Sequence, residues 1–211
     1  MKKTNITPNL GNMQELTKTA VENFRKKGFV AEFFESGEDA LKYVLKEIGS
    51  SDVGIGGSMT IQELGWFDAL QRRGKAIWHW QGKYDGILSD ENNAPCYITS
   101  ANAISSDGAV VNIDANGNRI AATAFGSKKA FIVCGENKIE KDIPSALFRA
   151  KNIAAPQNSK RLNRKTPCAI KADKCYNCNS PERICRITSI TTFPIPNLDM
   201  RIIFVKGSWG Y

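Results

Sequence analysis

Asp52-Val53-Gly54-Ile55-Gly56-Gly57-Ser58-Met59-Thr60 is the stretch that decides the fold. Asp52–Ile55 suits a short buried strand, Gly56-Gly57 suits a sharp turn, and Ile61, Leu64 and Phe67 then recur at helical spacing. Strand, glycine turn and helix in that order is the unit from which parallel sheets are built. Towards the N-terminus, Met13, Leu16, Ala20 and Phe24 predict a helix that Gly28 stops, and Phe29–Phe34 predicts a strand. Ser36 caps a second helix, with Glu38 and Asp39 against its dipole and Leu41, Val44, Leu45 and Ile48 on one face. Towards the C-terminus, Ala76–Trp80, Tyr97–Ser100, Ala109–Ile113, Ala130–Cys134 and Arg201–Val205 read as strands. Asp142 with Pro144 opens a helix that runs toward Ala154. Asn116-Gly117 predicts a tight turn, with Arg119–Ala124 returning antiparallel to Ala109–Ile113. The expected fold is α/β, a mostly parallel sheet flanked by helices, with one antiparallel hairpin and a small Cys-rich loop segment.

The 211 residues suit one domain, 1–211, with a basic Cys-rich segment at 160–196 inside it. The chain is 42% hydrophobic and 24% charged, ordinary for a protein with a buried core. A net charge of +8 favours anionic partners. The basic residues are widely spread and no recognition helix or RNA-binding signature accompanies them, so nucleic acid is not the expected partner. A local excess, which includes Lys160, Arg161, Arg164, Lys165, Arg183 and Arg186, surrounds the cysteines. After Met1-Lys2-Lys3 the polar run Thr4–Asn12 occupies the place of a leader's apolar core, and no stretch approaches the roughly 20 apolar residues of a membrane span. A soluble cytoplasmic protein is expected.

Three groups of residues carry candidate chemistry. In the first, Gly56 and Gly57 let the backbone approach a ligand, while Ser58, Thr60 and the N–H groups of the following helix can bind an anion. The bland alternative is a tight turn with Ser58 or Thr60 as a helix cap. The P-loop lysine and dinucleotide spacing are both missing. In the second, Asn102, Asn112 and Asp114 are small polar residues on or beside predicted strands, where buried polarity needs a partner and a ligand is one. Turn chemistry explains Asp107, Asn116 and Asn118. Lys128 and Lys129 are candidate countercharges, and Ser58, Thr60, Asn102, Asn112, Asp114 and Lys128 are expected around one cleft.

The third is Cys168, Cys175, Cys178 and Cys185, spaced C-x6-C-x2-C-x6-C in a loop-rich stretch broken by Pro167 and Pro181. Four thiolates suit zinc or an iron–sulfur cluster, and a reducing compartment argues against structural disulfides. Free or redox-active thiols are the third reading. Cys96 and Cys134 lie in strand-like surroundings that suit the core. His79, the only histidine, lies in a predicted strand, where packing or an exposed face outweighs catalysis.

Taken in order, Gly56-Gly57-Ser58-Met59-Thr60, Ser100-Ala101-Asn102-Ala103-Ile104, Val111-Asn112-Ile113-Asp114, Asn116-Gly117-Asn118-Arg119 and Phe125-Gly126-Ser127-Lys128-Lys129 resemble the lactate-utilisation (LUD) family. Asn152-Ile153-Ala154-Ala155-Pro156, Thr166-Pro167-Cys168 and Ser180-Pro181-Glu182-Arg183-Ile184-Cys185 extend the resemblance over nearly the whole chain. The resemblance implies a fold related to ribose-5-phosphate isomerase, glucosamine-phosphate deaminase and the CoA transferases. It also implies a small anionic metabolite at Gly54–Thr60: an organic acid, a sugar phosphate or a CoA ester. Many CoA transferases use a glutamate nucleophile, for which Ala103–Asp107 offers no clear counterpart. The family's link to lactate oxidation favours an iron–sulfur cluster, 4Fe-4S among the types, over zinc at the cysteines, with a redox protein as partner.

Overall fold

The computed structural model describes residues 10–171 and 173–211. Met1-Lys2-Lys3 and most of the polar run Thr4–Asn12, read against a leader, lie outside the described residues. The chain opens with α1 (Leu10–Lys26), β1 (Val30–Phe34), α2 (Gly37–Ile48) and β2 (Val53–Ile55). Two short helices, α3 (Met59–Glu63) and α4 (Phe67–Arg73), then lead to β3 (Ala76–Ile77), α5 (Ile87–Asn93) and β4 (Cys96–Thr99). Next come β5 (Ala103–Ser105), β6 (Ala109–Asp114), α6 (Asn118–Ala121) with a π-helical turn, and β7 (Lys129–Gly135). A 3-10 turn, Glu136–Lys138, precedes β8 (Ile139–Glu140) and α7 (Ile143–Arg149). A second π-helical turn, α8 (Ala155–Arg161), α9 (Pro167–Lys171), β9 (Ile187–Thr191) and β10 (Asp199–Val205) complete the order.

The main sheet has six strands in the order β1-β10-β7-β4-β2-β3, every neighbouring pair parallel. Its central strands are apolar on both faces. On one side Ala130, Ile132, Ile202 and Phe204 pack with Ala20, Val21 and Phe24 of α1. On the other, Phe131, Val133, Ile203 and Val205 pack with Ala40, Val44 and Ile48 of α2 and with Ile61 and Leu70. Strand alternation sends neighbouring residues to opposite faces, so unbroken apolar runs are what a sheet between two helical layers requires. Each fully buried side chain of this size contributes about 1.5–3 kcal/mol. Cys134 and Cys96 are buried in these two layers, as read from their surroundings.

A second, mixed sheet runs β8-β5-β6-β9, with α7 and the π-helical turn after it packed on it through Ala146 and Ala150. Here one expectation fails. Arg119–Ala124 does not return as a strand beside Ala109–Ile113; it is helical, as α6 and a π-helical turn. The Asp114 carboxylate accepts the backbone N–H groups of Arg119 and Ile120 at 3.0 and 3.3 Å, which holds the chain in a helical turn after Gly117. The real hairpin is β5–β6, and the free side of β6 pairs with β9 from the Cys-rich segment. Two further departures are local: the strand expected at Ala76–Trp80 ends at Ile77, and α5 has no counterpart in the sequence reading.

Gly54 fixes how α5 meets the main sheet. A Cβ there would lie 1.9 Å from the carbonyl oxygen of Glu91, a backbone atom with no rotamer to yield. Gly54→Ala must therefore push α5 off β2. We expect a loss of about 3 kcal/mol in urea unfolding, and a loss under about 0.5 kcal/mol would refute the close approach.

Candidate functional site

All parallel strands end on the same side of the main sheet, and the C-terminal ends of β2 and β4 open there into a narrow cleft, the position where open α/β sheets hold ligands. Gly57, Ser58 and Met59 follow β2, and Ser100, Ala101 and Asn102 follow β4. Trp80, Arg119, Lys138, Asn158, Arg161 and Tyr211 supply the remaining walls. Among the described residues, three cations line this cleft and no acidic side chain does. Its volume, about 50 Å³, suits one anionic group rather than a whole cofactor. A larger groove of about 500 Å³ lies along α1 and β1, but there Glu22, Glu32, Glu35 and Glu136 outnumber Lys18 and Arg25, which disfavours an anion.

Lys138 is the most constrained of the cations. It is 4% exposed, and its ammonium donates to Thr60 Oγ1 at 2.8 Å, Ser100 Oγ at 2.9 Å and the Ala101 carbonyl at 3.2 Å. No carboxylate pairs with it among the described residues. Burial disfavours its charged form and pulls its pKa from 10.5 down to about 8. Arg119 stands against Asp114 at 3.6 Å and donates to the Ile113 carbonyl at 2.6 Å. Arg161 is exposed and lies over the Trp80 ring, 4.6 Å from its centroid, with Asn158 Oδ1 accepting from its Nε at 3.0 Å.

The residues singled out in the sequence divide. Gly57, Ser58 and Asn102 line the cleft. Ser58 also caps α3, its Oγ accepting from the Ile61 N–H at 3.2 Å, so the bland and the functional readings hold for one side chain. With only five residues, α3 is too short to act as an anion-binding dipole, and the cations carry that role. Gly56 lies beneath the cleft, where a Cβ would meet Tyr97 Oη at 2.5 Å and Thr99 Oγ1 at 3.0 Å. Thr60 is in the wall, between Lys138, Ser100 and the Trp209 carbonyl. Asn112 and Asp114 serve the backbone: Asn112 Oδ1 accepts from the Asn102 N–H at 3.1 Å, and Asp114 holds α6. Lys128 is exposed and precedes β7, with its N–H on the Pro95 carbonyl, at the opposite end of the sheet. It does not join the cleft. Arg119, Lys138, Arg161 and the terminal Trp209–Tyr211 are what the sequence reading missed, and charged residues after predicted strands or on a helix gave no local signal of convergence.

His79 also departs from expectation. The chain has left β3 by Ile77, so His79 sits in a turn, edge-on to Trp80 at 6.0 Å. Its Nδ1 is 2.7 Å from Glu91 Oε1, which also accepts the His79 backbone N–H, and Glu91 is fully buried. Gly57 lies against the far edge of the imidazole, for a Cβ there would be 3.5 Å from both Cε1 and Nε2.

In the Cys-rich segment all four cysteines are half-buried and unpaired with one another as disulfides. Arg183 donates to the Cys185 sulfur at 3.3 Å and to the Cys178 carbonyl at 2.9 Å, and the Asn177 N–H donates to the Cys175 sulfur at 3.3 Å. The hydrogen bond to Cys185, before all other causes, holds Arg183 above its ordinary pKa. Among the described residues, no three His, Cys, Asp or Glu side chains stand together as ligands for one metal ion. In this arrangement the sulfurs do not fit a single-ion centre. Among the described residues no helix is long and apolar enough to cross a membrane.

The buried lysine makes a pH prediction. Between pH 8 and 10.5 the unfolded chain holds a proton on Lys138 that the folded chain has released, so stability rises with pH across that window. Below it both states are protonated and the native state bears the full desolvation cost. Urea unfolding of the native chain minus that of Lys138→Met should increase by on the order of 3 kcal/mol from pH 8 to 10.5. A flat difference would show that the ammonium is not desolvated.

A crystal structure of a DUF162 family protein from Deinococcus radiodurans aligns with a TM-score of 0.54, over 92% of this chain and 98% of that one. At 11% identity this likeness establishes the fold alone. A search of curated proteins gives no match. The LUD domain family matches residues 17–205, from the first core helix to the end of β10, and the chain belongs to that family.

Proposed function

We propose that this LUD-domain protein binds a small anionic metabolite by its charged group, in the cleft between Gly57–Met59 and Ser100–Asn102. The observation that carries this reading is the convergence of Arg119, Lys138 and Arg161 on a lining that, among the described residues, holds no acidic side chain. A buried ammonium without a counter-ion is costly, and a bound carboxylate or phosphate offsets that cost. An organic acid, a sugar phosphate and a CoA ester share this anionic group. The small volume admits that group and leaves the rest of the molecule over Trp80, Arg161 and Tyr211. The family's name makes lactate or a related organic acid of the cytoplasm the metabolic setting of this reading. Inorganic phosphate, citrate and coenzyme A are the probes for thermal stabilisation, which tracks ligand concentration for any ligand of the folded state. Arg161→Ala should weaken binding about tenfold without loss of stability, since Arg161 is exposed and contributes a charge-assisted contact. No stabilisation by any of the three would defeat the reading.

A second reading rests on the contacts to sulfur. Arg183 and the Asn177 N–H donate to Cys185 and Cys175, as donors do around anionic thiolates. On this reading Cys168, Cys175, Cys178 and Cys185 move together around an iron–sulfur cluster, with zinc as the alternative, and the protein passes electrons to a redox partner. A bound centre would supply one-electron chemistry or folding energy to a segment with few large apolar side chains. Anaerobically purified protein should then contain iron and sulfide, or zinc, and Cys178→Ala should lose it. Unchanged metal content in that variant would remove the case for a four-cysteine site.

A further inference from the structure

We propose that Lys138 is a nucleophile of the cleft, its amine forming an imine with the carbonyl carbon of a 2-oxo acid whose carboxylate Arg119 and Arg161 hold. This rests on the cleft being an anion site, and it adds the class of anion and the bond it forms. Lys138 lines the cleft together with Ser100 and Ala101, two of the three groups to which its Nζ donates. The third, Thr60, donates in turn to Ser100 Oγ at 3.1 Å. Gly210 lies beside the same nitrogen. A Cβ there would stand 3.2 Å from Nζ, so glycine keeps a side chain off the amine.

The partners of Nζ suit both of its charge states. A carboxylate would pin the ammonium, and none pairs with it among the described residues. The Thr60 and Ser100 hydroxyls accept from an ammonium and, once turned, donate to the lone pair of a neutral amine. Burial holds the pKa down at about 8 against Cys134 and Glu63, with Arg149 and Arg119 adding to the burial. Near that pH a large share of the amine is neutral, the state in which a lysine attacks a carbonyl. A 2-oxo acid carries its carbonyl on the carbon next to the carboxylate. A carboxylate held by two guanidiniums therefore brings an electrophile into the small space that Lys138 lines. The Nζ lone pair forms the C–N bond. The carbonyl oxygen leaves as water with two protons, the number that the amine gives up, so the imine needs no oxidant or other reactant.

Pyruvate, a small 2-oxo acid, is the probe, with sodium cyanoborohydride to reduce any imine on the full chain to a stable secondary amine. Peptide mass mapping then locates the modified lysines. At pH 8 Lys138 should be modified on the order of tenfold faster than the exposed Lys46 and Lys83. That ratio should shrink as the pH rises past about 8, where Lys138 is already largely neutral. Propanoate has the same carboxylate and no carbonyl, so it should protect Lys138 and leave Lys46 and Lys83 as reactive as before. Arg161→Ala should slow the modification of Lys138 about tenfold at low pyruvate. Adducts on exposed lysines with none faster at Lys138, or a fast Lys138 adduct that propanoate does not suppress, would overturn the inference. If propanoate or phosphate raises the melting temperature yet Lys138 stays unmodified, the imine is wrong and the anion cleft stands. If neither anion stabilises the chain and Lys138 stays unmodified, the anion reading itself fails and this inference falls with it.

Discussion

The buried ammonium of Lys138 is the contact on which the geometry of the candidate site depends. Its three protons reach Thr60 of α3, Ser100 after β4 and the Ala101 carbonyl, so one side chain ties the ends of three strands together. Thr60 also meets the Trp209 carbonyl, while Asn137, next in the chain, bonds Trp209 and Gly210. The terminal segment is thereby drawn over the same place. A charge stripped of water and lacking a carboxylate is held only where neutral oxygens replace its hydration, which fixes their positions closely.

Around that point the backbone comes close where glycine allows it. Gly54 permits α5 to lie on β2, and this contact carries Glu91 to the imidazole of His79. Gly56 leaves room for Tyr97 and Thr99 beneath the cleft. The two glycines therefore act at different places, the first on the approach of α5 to β2 and the second beneath the cleft.

The second sheet serves the site from below. Arg149, held by the Asn137 and Asn102 carbonyls at 3.0 and 2.7 Å, joins α7 to the loop after β4. Asn102 and Asn112 exchange side-chain bonds with the backbone of β6 and its neighbour, which sets the direction of Asn102. Because β9 completes this sheet, the Cys-rich segment is anchored at its end by ordinary strand pairing. Cys168 lies in α9, and Cys175, Cys178 and Cys185 lie in the loops between α9 and β9.

Helices α1, α2 and α7, the main strands, the glycine turn after β2 and the buried Cys96 and Cys134 were legible in the sequence because each follows from local periodicity or from the chemistry of adjacent residues. The cleft's glycines, Ser58 and Asn102 were legible too, since small polar residues after apolar strands have few places to go. Tertiary structure decided the rest. Asn116-Gly117 has the sequence of a hairpin turn, yet the Asp114 carboxylate captures the following N–H groups and makes a helix, while the strand that pairs there is β9. Lys128 had the right charge, and the parallel strands put it at the wrong end of the sheet. Lys138 and Arg161 lie in segments whose residues carry no common pattern, and only the packing of distant elements brings them to one cleft. Periodicity records which face of an element is buried; it does not record which buried faces meet, and the chemistry of this cleft depends on that meeting.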